Sequence, residues 1–197
     1  MNLKNLLFAS VIVLSANASF GQNIVQISTK SASHDVNINI QEVALLALKS
    51  STGTAITLAG TAPTVAGEAM TFDNVTDSSI FMNYSSIVKG TSTRNISVAL
   101  SSNVPTGLKL TVVAGANATG GAGNLGTASG ELTLSTAPQS IVTGIGSTYT
   151  GSGASKGRNL TYKLNYLDDV ATNYSALRYV DLVDAAPITI TYTLSDI

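Results

Sequence analysis

The 197-residue chain has no cysteine, no tryptophan and a single histidine, and it is poor in charge. Each shortage closes off a class of chemistry. Without cysteine there is no disulfide, no thiolate metal site and no lipid-modified cysteine. His34 alone cannot build a zinc constellation, and it precedes an early strand pattern, far from any candidate nucleophile. Asp, Glu, Lys and Arg together make up 11% of the residues, against about 25% in ordinary globular chains. The net charge is −1, with no Lys/Arg cluster. A nucleic-acid groove or an anionic membrane patch needs clustered cations, so neither partner is expected.

Apolar residues reach 44%, and Thr, Ser, Asn and Gly fill the polar surface. The first residues, MNLKNLLFASVIVLSANASFGQ, have the order of a secretory signal peptide: Lys4, an apolar run from Leu6 to Leu14, then small residues. Cleavage is expected after Gly21, with Ser19 and Gly21 as the small pair; cleavage after Ala18 is the alternative. The apolar run is too short to span about 30 Å of hydrocarbon. Residues 1–21 are therefore read as leader and 22–197 as one domain, secreted or held at the cell surface, with the periplasm as the other compartment. The mature chain shows no second hydrophobic span. A single domain of this size holds together by its core alone.

Period-two alternation recurs along the mature chain, the mark of strands with one buried face. HDVNINI sets Val36, Ile38 and Ile40 against Asp35, Asn37 and Asn39. NISVALS sets Ile96, Val98 and Leu100 inward; GLKLTVV does so with Leu108, Leu110 and Val112; ELTLS with Leu132 and Leu134. NLTYKLNY aligns Leu160, Tyr162, Leu164 and Tyr166. EVALLALK, a continuous apolar run, reads as a central strand covered on both faces. Turn-forming clusters separate the runs. A short helix within DDVATNYSALRY stays open against a strand in ALRYVDLV. The pattern predicts an all-β fold: an antiparallel Ig-like, Greek-key β-sandwich of about eight to ten strands. A membrane barrel is disfavoured, because aromatic girdles are missing: the mature chain carries only Phe72 and Phe81 beside its tyrosines.

Two stretches imitate catalytic motifs. GAGNLG (121–126) matches G-x-G-x-x-G, but a turn and a strand follow where a dinucleotide site needs a helix. GASKG (153–157) matches G-x-S-x-G, with Ser155 in the nucleophile position, yet strand NLTYKLNY follows and no histidine is placed to take a proton. Asp168, Asp169, Asp181 and Asp184 lack the spacing of a calcium loop and read as loop and strand-end charges. The six N-x-S/T triplets after the leader, starting at Asn74, Asn83, Asn95, Asn117, Asn159 and Asn173, arise readily in so Asn/Ser/Thr-rich a chain. No catalytic residue, cofactor or metal is assigned, and the chain is expected not to be an enzyme.

Six of the seven tyrosines lie from Tyr149 onward. Parity places Tyr162, Tyr166 and Tyr192 with the leucines, while Tyr149, Tyr174 and Tyr179 could form an exposed ligand patch. At the mature N-terminus QNIVQIS also alternates, and Ile24, Val25 or Ile27 could fill pockets of a neighbour by strand addition.

The closing segment ITITYTLSDI alternates strictly: Ile188, Ile190, Tyr192 and Leu194 against Thr189, Thr191, Thr193 and Ser195. It resembles the last strand of WxL-type bacterial cell-surface domains, which carries Trp-x-Leu and commonly continues Ser-Asp. Here Tyr192 replaces the Trp, and Leu194, Ser195 and Asp196 follow in matching order; a second Tyr-x-Leu stands at Tyr162 and Leu164. The resemblance implies a wall-binding role. The whole chain is also similar to small exported β-rich bacterial proteins and, loosely, to fimbrial subunits. The function expected is a structural or adhesive surface protein, assembling with itself or other surface proteins through strand pairing. The alternative is a binding module for a glycan or wall polymer.

Overall fold

In RNISVAL every second side chain is buried: Arg94, Ile96, Val98 and Leu100. RNLTYKLNY repeats this with Arg158, Leu160, Tyr162 and Leu164. Strands of this kind bury one face and must stack on a second sheet. The computed structural model, which describes residues 31, 33–179 and 186–197, shows that sandwich. It is built by Ile40–Ile197, which form one compact unit.

Eleven strands are present among the described residues: β1 Val43–Lys49, β2 Thr76–Ile87, β3 Arg94–Leu100, β4 Leu108–Asn117, β5 Ala122–Gly123, β6 Thr127–Ala128, β7 Glu131–Thr133, β8 Gln139–Ile145, β9 Thr148–Tyr149, β10 Arg158–Tyr166 and β11 Ile190–Asp196. One sheet has the order β5-β9-β2-β10-β4-β7, and β1 pairs with β2 as well, off that path. The second has the order β11-β3-β8-β6. All pairings are antiparallel. The chain crosses between sheets from β2 to β3, β3 to β4, β5 to β6, β6 to β7, β7 to β8, β8 to β9 and β10 to β11, so neighbours in sequence are often not neighbours in a sheet.

Between the sheets lies one core. Ile80, Met82, Tyr84, Val112, Leu160 and Tyr162 come from the first sheet; Ile96, Val98, Ile141, Val142 and Ile145 come from the second. Burying each such side chain contributes about 1.5–3 kcal/mol. A four-residue helix, α1 (Val170–Asn173), continues into a 3-10 turn, Tyr174–Ala176. No described helix is long and apolar enough to cross a membrane.

Two sequence expectations are corrected. EVALLALK is not a central strand: β1 pairs with β2 alone, and Leu45 is exposed on its outer face. A continuous apolar run carries no parity, so it cannot say which face is covered. HDVNINI forms no strand, and its apolar set is open to solvent: Val36 is 69%, Ile38 82% and Ile40 74% exposed. Its alternation is real, but no described strand of the chain pairs with it. The leader and Ile24, Val25 and Ile27 lie outside the described residues, as do Asp181 and Asp184.

The imitation motifs are explained by backbone crowding. Gly126, last glycine of GAGNLG, has φ +68°, and a Cβ there would sit 2.5 Å from the Thr143 carbonyl oxygen. Gly157, last glycine of GASKG, has φ +74°, and a Cβ would run into the Met82 carbonyl. In both places glycine is required because the chain turns in the left-handed region against another strand.

Candidate functional site at the C-terminal strand

β11 pairs on one side with β3, in register from Ile190 opposite Leu100 to Asp196 opposite Arg94. No described strand pairs with its other side. At the two ends of the ladder, Ser101 N–H donates to Thr189 O at 2.9 Å and Ile197 N–H donates to Thr93 O at 3.3 Å. Antiparallel bonding alternates residue by residue, so the odd-numbered residues face β3. The backbone N–H and C=O groups of Ile190, Tyr192, Leu194 and Asp196 therefore point out of the sheet at an open edge.

Side-chain parity adds to this. Ile190, Tyr192 and Leu194 turn toward the core but stay only partly buried. Across from them, Leu46 and Leu48 of edge strand β1 are partly buried in the same way. Ala44, Leu46, Leu48, Tyr192 and Leu194 line an open groove of about 370 Å³ where the edges of the two sheets meet. Core-facing aliphatic and aromatic surface is thus left half-covered beside an unpaired backbone edge.

Two polar contacts fix the strand. Tyr192 Oη lies 2.9 Å from Tyr162 Oη of β10, in the opposite sheet. Burial holds both phenols protonated: it pushes Tyr162 up to about 12 against the opposing effect of its Tyr192 hydrogen bond, and raises Tyr192 further, helped by Tyr162. The second contact is Arg94, whose side chain is 2% exposed. Its Nε donates to Asp196 Oδ1 at 2.6 Å, and its Nη1 donates to Ser86 Oγ at 3.0 Å, to Ile87 O at 3.3 Å and to Val43 O. Its Nη2 meets Glu42 Oε1. One guanidinium gathers the start of β1, the end of β2 and the end of β11.

Of the closing motif, Tyr192 and Leu194 are thus core-facing groove residues, Ser195 is exposed, and Asp196 is held by Arg94. The structure brings its Tyr192 against Tyr162 of the second Tyr-x-Leu. The tyrosines assigned to a ligand patch are exposed, but Tyr149 and Tyr174 do not converge. Tyr149 sits on β9 opposite Ser85, while Tyr174 follows β10 near Tyr166, toward the Thr76 end of the long strand β2. Tyr179 lies beyond the 3-10 turn and is exposed.

A second groove, of about 450 Å³, is lined by Met70, Phe72, Lys109, Asn165, Tyr166 and Asp168 among others. Phe72 and Tyr166 meet edge to face with centroids 5.2 Å apart, and Tyr166 Oη donates to Met70 O at 2.7 Å. Asp169 lies on its rim as the cap of α1, accepting from Thr172 N–H at 2.8 Å and Thr172 Oγ1 at 3.1 Å, which lowers its carboxyl pKa. Its oxygens serve the helix. Among the described residues no group of three His, Asp or Glu side chains could hold a metal ion. Ser155 is exposed in the turn before β10, with no helix after it.

Sequence reading missed both buried arginines, though each left a signal. Arg94 heads Ile96-x-Val98-x-Leu100 and Arg158 heads Leu160-x-Tyr162-x-Leu164, so each guanidinium sits on an apolar parity. Arg158 donates to Tyr84 Oη at 3.0 Å, Gly115 O at 3.0 Å, Leu125 O at 3.2 Å and Gly126 O at 2.8 Å. No protein-family model, curated protein or solved structure matches this chain.

Proposed function

We propose that this is an exported, non-enzymatic structural or adhesive protein of the cell surface, which assembles by β-strand pairing. The observation that carries the reading is the open edge of β11. It presents unpaired backbone groups on one side and the half-covered Tyr192, Leu194, Leu46 and Leu48 beneath. An edge of this kind is a template for another strand, and natural sandwiches that stay single usually blunt it with lysine, proline or bulges. β11 carries none of these: ITYTLSD has one acidic residue at its end, already engaged by Arg94. Backbone bonds would give such an association affinity, and the groove would select alternate side chains. The expected partners are further copies of the chain or other surface proteins. The WxL-like ending agrees with a place at the cell surface, as does the signal-peptide-like leader.

The test is the mass of residues 22–197 in solution, by light scattering over a concentration series. Oligomers growing with concentration are expected; a monomer throughout would leave self-assembly unsupported. The second groove favours the alternative reading as a glycan or wall-polymer module, because it sets Tyr166 and Phe72 beside Asn165 and Asp168. Retention on wall polymer that Tyr166→Ala abolishes, and that Tyr149→Ala leaves intact, would favour that module.

A further inference from the structure

We infer that residues 34–40 of a second copy of this chain are the strand that adds to the open edge of β11. The inference rests on the reading of the protein as a self-assembling subunit and names both partners of the contact.

The donor is recognised by an unmet demand. HDVNINI carries the alternation of a one-sided strand, with Val36, Ile38 and Ile40 on one parity and Asp35, Asn37 and Asn39 on the other. Yet these residues belong to no strand, and Val36, Ile38 and Ile40 are 69%, 82% and 74% exposed. Scattered exposed hydrophobics are ordinary, but here three lie on one strand parity and no strand among the described residues pairs with them.

The acceptor has the matching deficit. β11 spans seven residues, Ile190–Asp196, the same length as 34–40. Its apolar set is Ile190, Tyr192 and Leu194, three positions at the same spacing, and its outward set is Thr191, Thr193 and Ser195. A strand laid along β11 with its apolar parity inward would place Val36, Ile38 and Ile40 over the groove toward Leu46 and Leu48. Asn37 and Asn39 would then continue the uncharged polar face of Thr191 and Thr193. Both apolar deficits close in one contact, and the even-numbered backbone groups of β11 gain their ladder.

Centred pairing, in either direction, sets Asn37 opposite Thr193. Since Thr193 faces β3 with its backbone, it occupies a non-hydrogen-bonded position relative to the added strand. Side chains approach most closely at such positions, within reach of a disulfide. The native chain has no cysteine, so introduced thiols report without background from native ones.

The experiment uses residues 22–197 throughout. One variant carries Val36→Asp, Ile38→Asp and Ile40→Asp, all at exposed positions, so its melting should match that of the parent. It should run as a monomer at concentrations where the parent is oligomeric. Separately, Asn37→Cys protein mixed with Thr193→Cys protein and mildly oxidised should give several-fold more cross-linked heterodimer than Asn37→Cys mixed with Thr133→Cys, on edge strand β7. Oligomers persisting in the triple-Asp variant would overturn the donor while leaving assembly standing. Monomers of the parent at every concentration would overturn both. A disulfide forming within one chain of the doubly substituted Asn37→Cys/Thr193→Cys protein would overturn the second copy as occupant.

Discussion

The hydroxyls of Tyr162 and Tyr192 lie 2.9 Å apart across the sandwich, one from β10 in the first sheet and one from β11 at the edge of the second. The two Tyr-x-Leu segments of the chain thus meet through their tyrosines. The contact ties a strand that has only one ladder among the described strands to a strand of the opposite sheet that is paired on both sides, by β2 and β4. It also satisfies two hydroxyls within the core, where an unpaired hydroxyl would be costly.

Replacing both members of that pair should therefore cost less than the two single replacements added together. Tyr192→Phe or Tyr162→Phe leaves the other hydroxyl without its partner and should cost about 1–3 kcal/mol each. The double Phe variant should cost clearly less than the sum, because no hydroxyl is stranded. Chemical denaturation of the three variants measures the coupling; strict additivity would mean that the hydrogen bond contributes nothing.

Alkaline pH should unfold the protein in a defined window. Tyr162 and Tyr192 are raised above the ordinary tyrosine value of 10.0, Tyr162 to about 12. Between those values the unfolded chain has lost protons that the folded chain keeps, so stability falls as pH rises. Stability from this source is complete below pH about 10 and is lost progressively above it. Tyrosinate absorbance should show the buried Tyr162–Tyr192 pair ionising only with the loss of structure. Ionisation of all seven tyrosines in a still-folded protein would contradict this.

Arg94 should matter through its buried partners more than through its acids. Glu42 and Asp196 are 68% and 75% exposed, so Glu42→Gln and Asp196→Asn should each cost less than about 1 kcal/mol. Arg94→Ala strips donors from the Ile87 and Val43 carbonyls and from Ser86, and removes a buried stem; about 3 kcal/mol or more is expected. Thermal melts of the three variants rank them.

In the GASKG turn, structure and imitation chemistry part company. Gly157→Ala forces a Cβ into the Met82 carbonyl at φ +74° and should destabilise by about 2 kcal/mol or more. Ser155→Ala, at the exposed would-be nucleophile, should stay within about 0.5 kcal/mol of the parent.

The fold was legible where alternation was clean. Ile96-x-Val98-x-Leu100 and Leu160-x-Tyr162-x-Leu164 place their own faces, and so does the core-facing set of β11. It was illegible where parity vanished, as in the Val43–Lys49 run, whose apolar outer face looks in sequence like burial. His34–Ile40 is the reverse case. Its parity is as clean as that of any strand, but a pattern states only what a segment can pair with, not whether the partner is in the same chain. The two arginines were hidden because charge on an apolar parity is ordinarily read as a strand end. Only the carbonyls converging from Val43 and Ile87, or from Gly115 and Gly126, show why a guanidinium belongs inside. The site was half legible: the closing strand was singled out from its residues, whereas its open edge is a property of topology.

The most direct test of the account is residue-resolved amide hydrogen exchange of residues 22–197 at low and at high protein concentration. Odd-numbered amides of β11, bonded to β3, should be protected at both. The amides of Ile190, Tyr192, Leu194 and Asp196 should exchange quickly in dilute protein and gain protection as concentration rises. Even-numbered amides that exchange equally fast at every concentration would contradict assembly through this edge.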